Sequence, residues 1–188
     1  MKSRLKLAGK YRELLQPWLR APLMIAVGLM FFQQMTGINT IIYYSPKIFK
    51  LAGIESNTLA ILPSIVIGSL SVICTLISMS IIDRIGRRTL YFIGMSGMTL
   101  SLAGMGFSFF MEEQLGDSLK YFAMASTFLY IIFFAVSLGP LAWLIISEVF
   151  PLKVRGVGMS IGSLSVWLFN AIVTFTFLKL VNALTPAG

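Results

Sequence analysis

Long apolar runs separated by short polar gaps dominate this chain. Five runs are long enough to cross a bilayer as helices, which takes about 20 mainly apolar residues. They extend over residues 22–44, 58–82, 89–111, 121–146 and 157–181. The runs are too long for strands, and they do not alternate with period two as half-buried strands do. The pattern therefore predicts an all-α polytopic membrane helix bundle.

Charge placement supports the same fold class and gives an orientation. Charged residues make up only 12% of the 188 residues, against about 25% in soluble domains, and the net charge is +8. Most Lys and Arg residues precede the first run, follow the second or follow the fourth. The positive-inside rule then predicts a cytoplasmic N-terminus. We interpret residues 1–21 as a cytoplasmic lead-in rather than a signal peptide, and residues 22–188 as a transmembrane domain.

Residue usage excludes several classes of function. The sequence contains no histidine and one cysteine, Cys74. This excludes a disulfide framework, a cysteine-based metal site and any catalytic arrangement that needs histidine. Basic residues cluster in the gaps between runs, which fits cytoplasmic loops better than a nucleic-acid face. We therefore expect no enzyme activity, no catalytic residues, no metal, no cofactor and no nucleic-acid partner.

The stretch 33-QQMTGINTIIYYSP-46 places hydrogen-bonding side chains at membrane depth. An unsatisfied polar group in hydrocarbon costs several kcal/mol, so Gln33, Gln34, Asn39 and Tyr43 should face protein or water. Such side chains either join helices to one another or line a cavity for a neutral polyhydroxy ligand. Gly37 weakens the helix, so a bend is expected there.

A second interruption is expected in the fourth run, within 139-GPLAWLIISEVFP-151. Pro140 lacks an N–H group and crowds the preceding turn, so the pair Gly139–Pro140 predicts a break. Trp143 follows within one turn, and Trp167 lies in the fifth run. Each tryptophan is either a packing residue or an aromatic platform beside a ligand. Broken helices in transporters tend to lie at the substrate site.

The gaps after the second and fourth runs carry both signs of charge. The loop 83-DRIGRR-88 is compact and basic, and Gly86 permits a tight turn. Glu148 and Arg155 flank the end of the fourth run. These groups either set membrane topology alone or pair in a network that holds one conformation closed.

Three motifs in this order carry a resemblance to a known family. They are 33-QQMTGINTIIYY-44, 83-DRIGRR-88 and 139-GPLAWLIISEVFPLKVRG-156. With these motifs the chain resembles the sugar porter family of the major facilitator superfamily, which includes bacterial sugar–proton symporters and facilitative glucose transporters. The resemblance implies the C-terminal half of a major facilitator fold, with about five transmembrane helices corresponding to helices seven to eleven.

The resemblance also implies roles for individual residues. The residues at sugar-contacting positions are Gln33, Gln34, Asn39, Tyr43, Phe134, Trp143 and Trp167. The residues of a cytoplasmic charge network that biases conformation are Asp83, Arg84, Arg87, Arg88, Glu148 and Arg155. The implied activity is transport of a monosaccharide, a hexose or a pentose, by alternating access, with proton coupling in the complete protein. Ser71, Ala135, Ala142 and Val166 depart from the family pattern, which leaves the particular sugar open.

The implied partners are the lipid bilayer, a monosaccharide and an N-terminal transporter half. The sequence of residues 139–151 resembles bacterial members of the family more than animal ones. We therefore expect the protein to lie in the inner membrane of a bacterium. Two alternatives stay open. One is a non-functional fragment of a split or frameshifted transporter gene, and the other is a small membrane protein that acts only as an oligomer.

Overall fold

A computed structural model describes residues 16–51 and 57–184, and these residues form eight α-helices. After a 3-10 turn at Pro17–Leu19, the helices are α1 (Arg20–Met35), α2 (Ile38–Leu51), α3 (Asn57–Ile85), α4 (Arg87–Phe110), α5 (Glu112–Leu115), α6 (Leu119–Val136), α7 (Leu138–Val149) and α8 (Arg155–Leu184). The described ranges contain no strand. The predicted all-α fold is therefore confirmed.

Within the residues that the structure describes, five stretches are long and apolar enough to cross a membrane. They are Pro17–Lys47, Ile65–Ile85, Arg87–Phe110, Leu119–Val149 and Arg155–Leu180. Their order and positions match the five predicted runs. The first and fourth spans each contain 31 residues, and each consists of two helices in sequence rather than one.

The first span breaks where the sequence predicts. Helix α1 ends at Met35, and Gly37 adopts a φ of 78°, a left-handed conformation that glycine reaches at no steric cost. The Gly37 N–H donates to the Gln34 carbonyl at 3.0 Å, which closes the end of α1. Helix α2 then starts at Ile38.

The fourth span breaks two residues earlier than predicted. Helix α6 ends at Val136, Ser137 has φ −121° and ψ −89°, and Gly139–Pro140 lies inside the first turn of α7. Proline is tolerated in a first helical turn because the N–H it lacks has no partner within the helix there. In an unbroken helix, the N–H of residue 140 would have bonded the carbonyl of Val136, four residues before it. That carbonyl instead accepts a 2.5 Å hydrogen bond from the Ser78 hydroxyl of α3.

The chain divides into two compact units. The first contains the described residues up to Gly37 and from Ala142 onward, and the second contains Ile38–Leu141. In the first unit α1 packs against α8, and the Phe31 and Phe169 rings meet edge to face with centroids 5.0 Å apart. Its buried core comprises Leu19, Ala26, Met30, Ala142, Ile146, Phe150, Val154 and Val166.

The second unit is built around α6, which packs against α3 and α4. Its main core cluster comprises Ile38, Ile41, Ile67, Met98, Tyr130, Ile131 and Leu138. Helices α4 and α6 approach closely because α4 presents glycine at the contact. A side chain at Gly94 would overlap Ser137, and one at Gly97 would overlap the Phe133 ring. Small residues allow such close packing where lipid provides no hydrophobic drive for helix association.

Candidate functional site

Gln33 and Gln34 lie in the last turn of α1, directly before the break at Gly37. Each side chain is only 4% exposed, although both residues stand within a membrane span. The Thr36 hydroxyl donates to the Gln33 carbonyl at 2.7 Å, so this turn ends in a local polar cluster. Both glutamines have an interaction partner. The two amides are therefore buried in the protein, as the cost of exposing them to lipid requires.

Two of the three tryptophans of the first unit are candidate sugar contacts, and both are exposed. Trp143 is 37% exposed and Trp167 is 64% exposed. Trp143 stands on α7 next to the buried Ala142, whose side of the helix packs into the core with Ile146. Both rings are thus available as apolar platforms, the kind of surface that covers the C–H face of a sugar ring.

In the second unit, α2 has one side in the core and another side with polar side chains. Ile38 and Ile41 are buried in the main cluster. Asn39 is half-buried and has an interaction partner, and Tyr43 is 52% exposed. Phe134 of α6 is half-buried and packs against the main cluster. Its ring would lie 3.4 Å from a Cβ at Gly139, so Phe134 also contacts the first turn of α7.

Several buried polar residues at membrane depth were not singled out from the sequence, among them Asn170 and Thr40. Asn170 of α8 is 6% exposed, and its Oδ1 accepts a 3.0 Å hydrogen bond from the Thr174 hydroxyl. Thr40 of α2 is 4% exposed, and its hydroxyl has no hydrogen-bond partner. The asparagine could have been found, because an amide within an apolar run is uncommon and Thr174 follows it by one helical turn.

The loop between α3 and α4 is a tight turn, as predicted. Gly86 has a φ of 84°, and its N–H donates to the Ile82 carbonyl at 3.2 Å. The charged side chains around it are all exposed; they are Asp83, Arg84, Arg87 and Arg88. The Arg88 guanidinium carbon lies 5.9 Å from the centroid of the Phe92 ring, a cation–π contact within α4.

The other predicted members of the charge network belong to the first unit. Glu148 is exposed near the end of α7 and has an interaction partner. Arg155 begins α8 and is half-buried. The Arg155 Nε atom is buried and has no hydrogen-bond partner.

The four positions that depart from the family pattern have packing surroundings. Ala142 and Val166 belong to the core cluster of the first unit. Ala135 is 4% exposed. Ser71 is half-buried, and its carbonyl accepts a 2.7 Å hydrogen bond from the Thr75 hydroxyl.

Within the described residues, no group of three or more His, Cys, Asp and Glu residues is placed to hold a metal ion.

Comparison with known proteins identifies the family. The profile described as "Sugar (and other) transporter" matches residues 2–188. A putative metabolite transport protein of Bacillus subtilis, YwtG, is 38% identical over 177 residues, which cover 94% of this chain and 38% of that protein. A D-xylose transporter of Levilactobacillus brevis is 39% identical over 177 residues, covering 93% of this chain and 38% of that protein. The D-xylose-proton symporter-like 1 of Arabidopsis thaliana is 43% identical over 155 residues, covering 82% and 30%.

Solved structures show the same fold. The proton:xylose symporter XylE bound to 6-bromo-6-deoxy-D-glucose matches with a TM-score of 0.72 and 34% identity, over 84% of this chain and 32% of that chain. The inward-open xylose transporter XylE from E. coli matches with a TM-score of 0.68 and 31% identity, over 83% and 32%. The chain thus spans less than two fifths of the length of these relatives. It belongs to the sugar transporter family, the sugar porters of the major facilitator superfamily, and is an integral membrane protein.

Proposed function

We propose that this chain forms part of the sugar-binding site and of the translocation pathway of a complete membrane transporter. The observation that carries the proposal is the amide pair Gln33 and Gln34, buried at the end of α1 beside a helix break. Polar side chains held inside a membrane span are costly, and in transporters broken helices tend to lie at the substrate site.

The chemistry of the candidate residues fits a neutral polyhydroxy ligand. Amides donate and accept hydrogen bonds, so each can pair with a hydroxyl group in either sense. Aromatic rings cover the apolar faces of a pyranose or furanose ring. We therefore propose that the residues contacting the sugar are Gln33, Gln34, Asn39, Tyr43, Phe134, Trp143 and Trp167.

The proposed substrate is a hexose or a pentose, and the proposed transport is coupled to protons. Relatives include proteins described as a D-xylose transporter, a D-xylose-proton symporter-like protein and a major myo-inositol transporter. All Asp and Glu residues of this chain lie in the gaps or at the ends of the apolar runs. The titrating carboxylate would therefore belong to the rest of the transporter. Uptake that is unaffected by a protonophore would contradict proton coupling.

A chimeric transporter allows the sugar site to be tested. This chain replaces the matching segment of the D-xylose transporter of Levilactobacillus brevis, to which it is 39% identical. In this chimera, Gln33→Ala should weaken monosaccharide binding by about 1–3 kcal/mol, because a buried polar partner loses its hydrogen bond. The measurement is titration calorimetry with D-xylose, D-glucose and myo-inositol on the purified chimera.

The matched control is Gln114→Ala, which removes an exposed amide outside the spans. It should leave the affinity unchanged. If Gln33→Ala folds normally and binds sugar as tightly as the parent chimera, the assignment of the amide pair is wrong.

We also propose that six charged residues bias the equilibrium between inward-open and outward-open states. They are Asp83, Arg84, Arg87, Arg88, Glu148 and Arg155. Glu148→Gln removes one charge of the network and should shift the chimera toward the inward-open state, with slower uptake. Spin-label distances across each membrane face measure the shift. Lys179→Gln, at an exposed position on α8, is the control. An unchanged ratio of states in Glu148→Gln would count against the network.

We further propose that residues 1–21 lie in the cytoplasm as a lead-in, that residues 22–188 form the transmembrane part, and that the membrane is the inner membrane of a bacterium. The excess of Lys and Arg before the first span and after the second and fourth supports this orientation. The orientation can be tested with a reporter fused at residue 1 that is active only outside the cytoplasm. Activity of this reporter would contradict a cytoplasmic N-terminus.

Two alternative hypotheses are a non-functional fragment and a self-sufficient oligomer. Sugar uptake into liposomes, measured with the chain alone and with the chimera, distinguishes them.

A further inference from the structure

Thr40 differs from the other buried hydroxyl residues that the structure describes. The buried serines and the other buried threonine all donate to a backbone carbonyl; they are Ser45, Ser78, Ser101, Ser108, Thr127, Ser137 and Ser165. The Thr40 side chain is 4% exposed, yet its Oγ1 has no partner. A buried polar atom without a partner is destabilising, so it calls for an explanation.

The helix break explains why Thr40 does not bond its own backbone. Threonine in a membrane helix usually donates to the carbonyl three or four residues before it. Thr127 does so to Ala123 at 2.7 Å. Thr40 lies in the first turn of α2, so the corresponding carbonyls are those of Thr36 and Gly37 at the break. The φ of 78° at Gly37 interrupts the regular helical backbone at these two carbonyls, and the Thr40 hydroxyl bonds neither of them.

Thr40 also shares a side of α2 with the candidate sugar contacts. At about 100° per residue, Asn39, Thr40 and Tyr43 fall within an arc of about 100°. Ile38 and Ile41, which pack into the core of the second unit, fall outside this arc. The unpaired hydroxyl is thus next to an amide and a phenol that the proposed function assigns to the substrate.

We infer that Thr40 is a further specificity-determining residue, whose hydroxyl pairs with one hydroxyl group of the bound sugar or polyol. This inference rests on the proposed transport function. The substrate-free protein carries an unpaired donor and acceptor at this position, and the ligand supplies the partner. Binding therefore gains a hydrogen bond that is not made in the empty protein.

The isosteric change Thr40→Val tests this inference in the chimeric transporter. It removes the hydroxyl and should weaken binding of D-xylose, D-glucose or myo-inositol about 3- to 10-fold, the effect of losing one neutral hydrogen bond. Thr40→Ser keeps the hydroxyl and should retain most of the affinity. Thr127→Val removes a hydroxyl that is already bonded to Ala123 and should leave the affinity unchanged.

Deoxy analogues of the sugar identify the group that Thr40 recognises. One analogue should bind the parent chimera about 3- to 10-fold more weakly than the full sugar, but show no further loss with Thr40→Val. This non-additivity is the expected signature of a direct pair. If every deoxy analogue loses the same factor in the parent and in Thr40→Val, Thr40 does not contact the ligand.

Thermal unfolding of the 188-residue chain in detergent gives a second readout, which does not need a functional chimera. Thr40→Val should raise Tm or leave it unchanged, because no hydrogen bond is lost in the empty protein. Thr127→Val should lower it. A drop in Tm with Thr40→Val as large as that with Thr127→Val would overturn the inference, because the hydroxyl would then be paired within the protein.

The two proposals fail in different ways. If the parent chimera is folded and binds none of the three probes, the proposed transport function is wrong. If Gln33→Ala weakens binding and Thr40→Val does not, the transport function stands and the role of Thr40 is wrong.

Discussion

At the scale of single residues, Ser78 and Pro140 together determine how the fourth span is broken. Pro140 cannot donate to the Val136 carbonyl, and the Ser78 hydroxyl of α3 donates to it instead at 2.5 Å. The Ser137 hydroxyl bonds the Phe133 carbonyl at 2.6 Å. Two carbonyls in the last turn of α6, directly before the break, therefore accept hydrogen bonds from side chains, as a non-helical segment within a bilayer requires.

Ser78→Ala should destabilise the protein by about 1–3 kcal/mol, because it leaves a buried carbonyl without a partner. The measurement is the Tm of the purified chain in detergent. Ser80→Ala is the matched control on the same helix, since that side chain is exposed and makes only a 3.4 Å contact to the Leu76 carbonyl.

A double substitution makes the test of this junction sharper. Pro140→Ala restores the N–H that an unbroken helix would direct to the Val136 carbonyl, so it should recover part of the stability lost in Ser78→Ala. If the two substitutions are simply additive, Ser78 and Pro140 do not share that carbonyl.

At the scale of helices, glycine on α4 fixes the approach of α4 to α6. A Cβ at Gly97 would overlap the Phe133 ring, whereas a Cβ at Gly106 on the same helix would meet nothing within 4 Å. The two positions differ in packing but lie on the same helix. Comparing an alanine substitution at each position therefore distinguishes the effect of close packing from the general effect of adding a methyl group to a helix.

Gly97→Ala should destabilise the second unit by about 1–3 kcal/mol through overpacking. Gly106→Ala should be neutral or slightly stabilising, since alanine favours the helix more than glycine does. Thermal unfolding in a single detergent compares the two variants. Equal Tm values would show that α4 and α6 can separate at Gly97 without cost.

At the scale of the whole molecule, the chain matches only part of the length of its relatives. It spans 38% of the length of YwtG and of the D-xylose transporter of Levilactobacillus brevis. Many of its large apolar side chains are exposed, including Phe32, Leu164 and Trp167. In a bilayer these side chains face lipid or other transmembrane helices.

We predict that the 188-residue chain inserts into membranes but does not transport sugar by itself, because it covers only 38% of the length of the transporters that it resembles. The measurement is uptake of labelled hexoses and pentoses into liposomes that contain only this chain. The chimera in the same liposomes is the positive control. Saturable, stereospecific uptake by the chain alone would favour a homo-oligomer that builds its own pathway, and a chimera that is folded but inactive would favour a non-functional fragment.

Much of the fold can be predicted from the sequence, because the hydropathy of a segment by itself determines whether that segment can span a membrane. The number of spans, the all-α class and the tight turn at Gly86 could all be predicted, and so could the break at Gly37. A glycine within a polar stretch can adopt a positive φ whatever surrounds it. The candidate sugar contacts came from motif resemblance, and the burial of Gln33 and Gln34 agrees with the cost of placing amides in lipid.

Only the tertiary structure decided features that depend on distant partners. The sequence predicted the fourth-span break at Gly139–Pro140, but a hydroxyl 58 residues away satisfies the Val136 carbonyl and the helix ends there instead. The same is true of Gly97, whose role comes from the Phe133 ring of another helix. The unpaired Thr40 hydroxyl could not be read from the sequence either. Hydrogen-bond satisfaction and close packing are properties of neighbours in space, whereas the sequence determines how much of each segment must leave water.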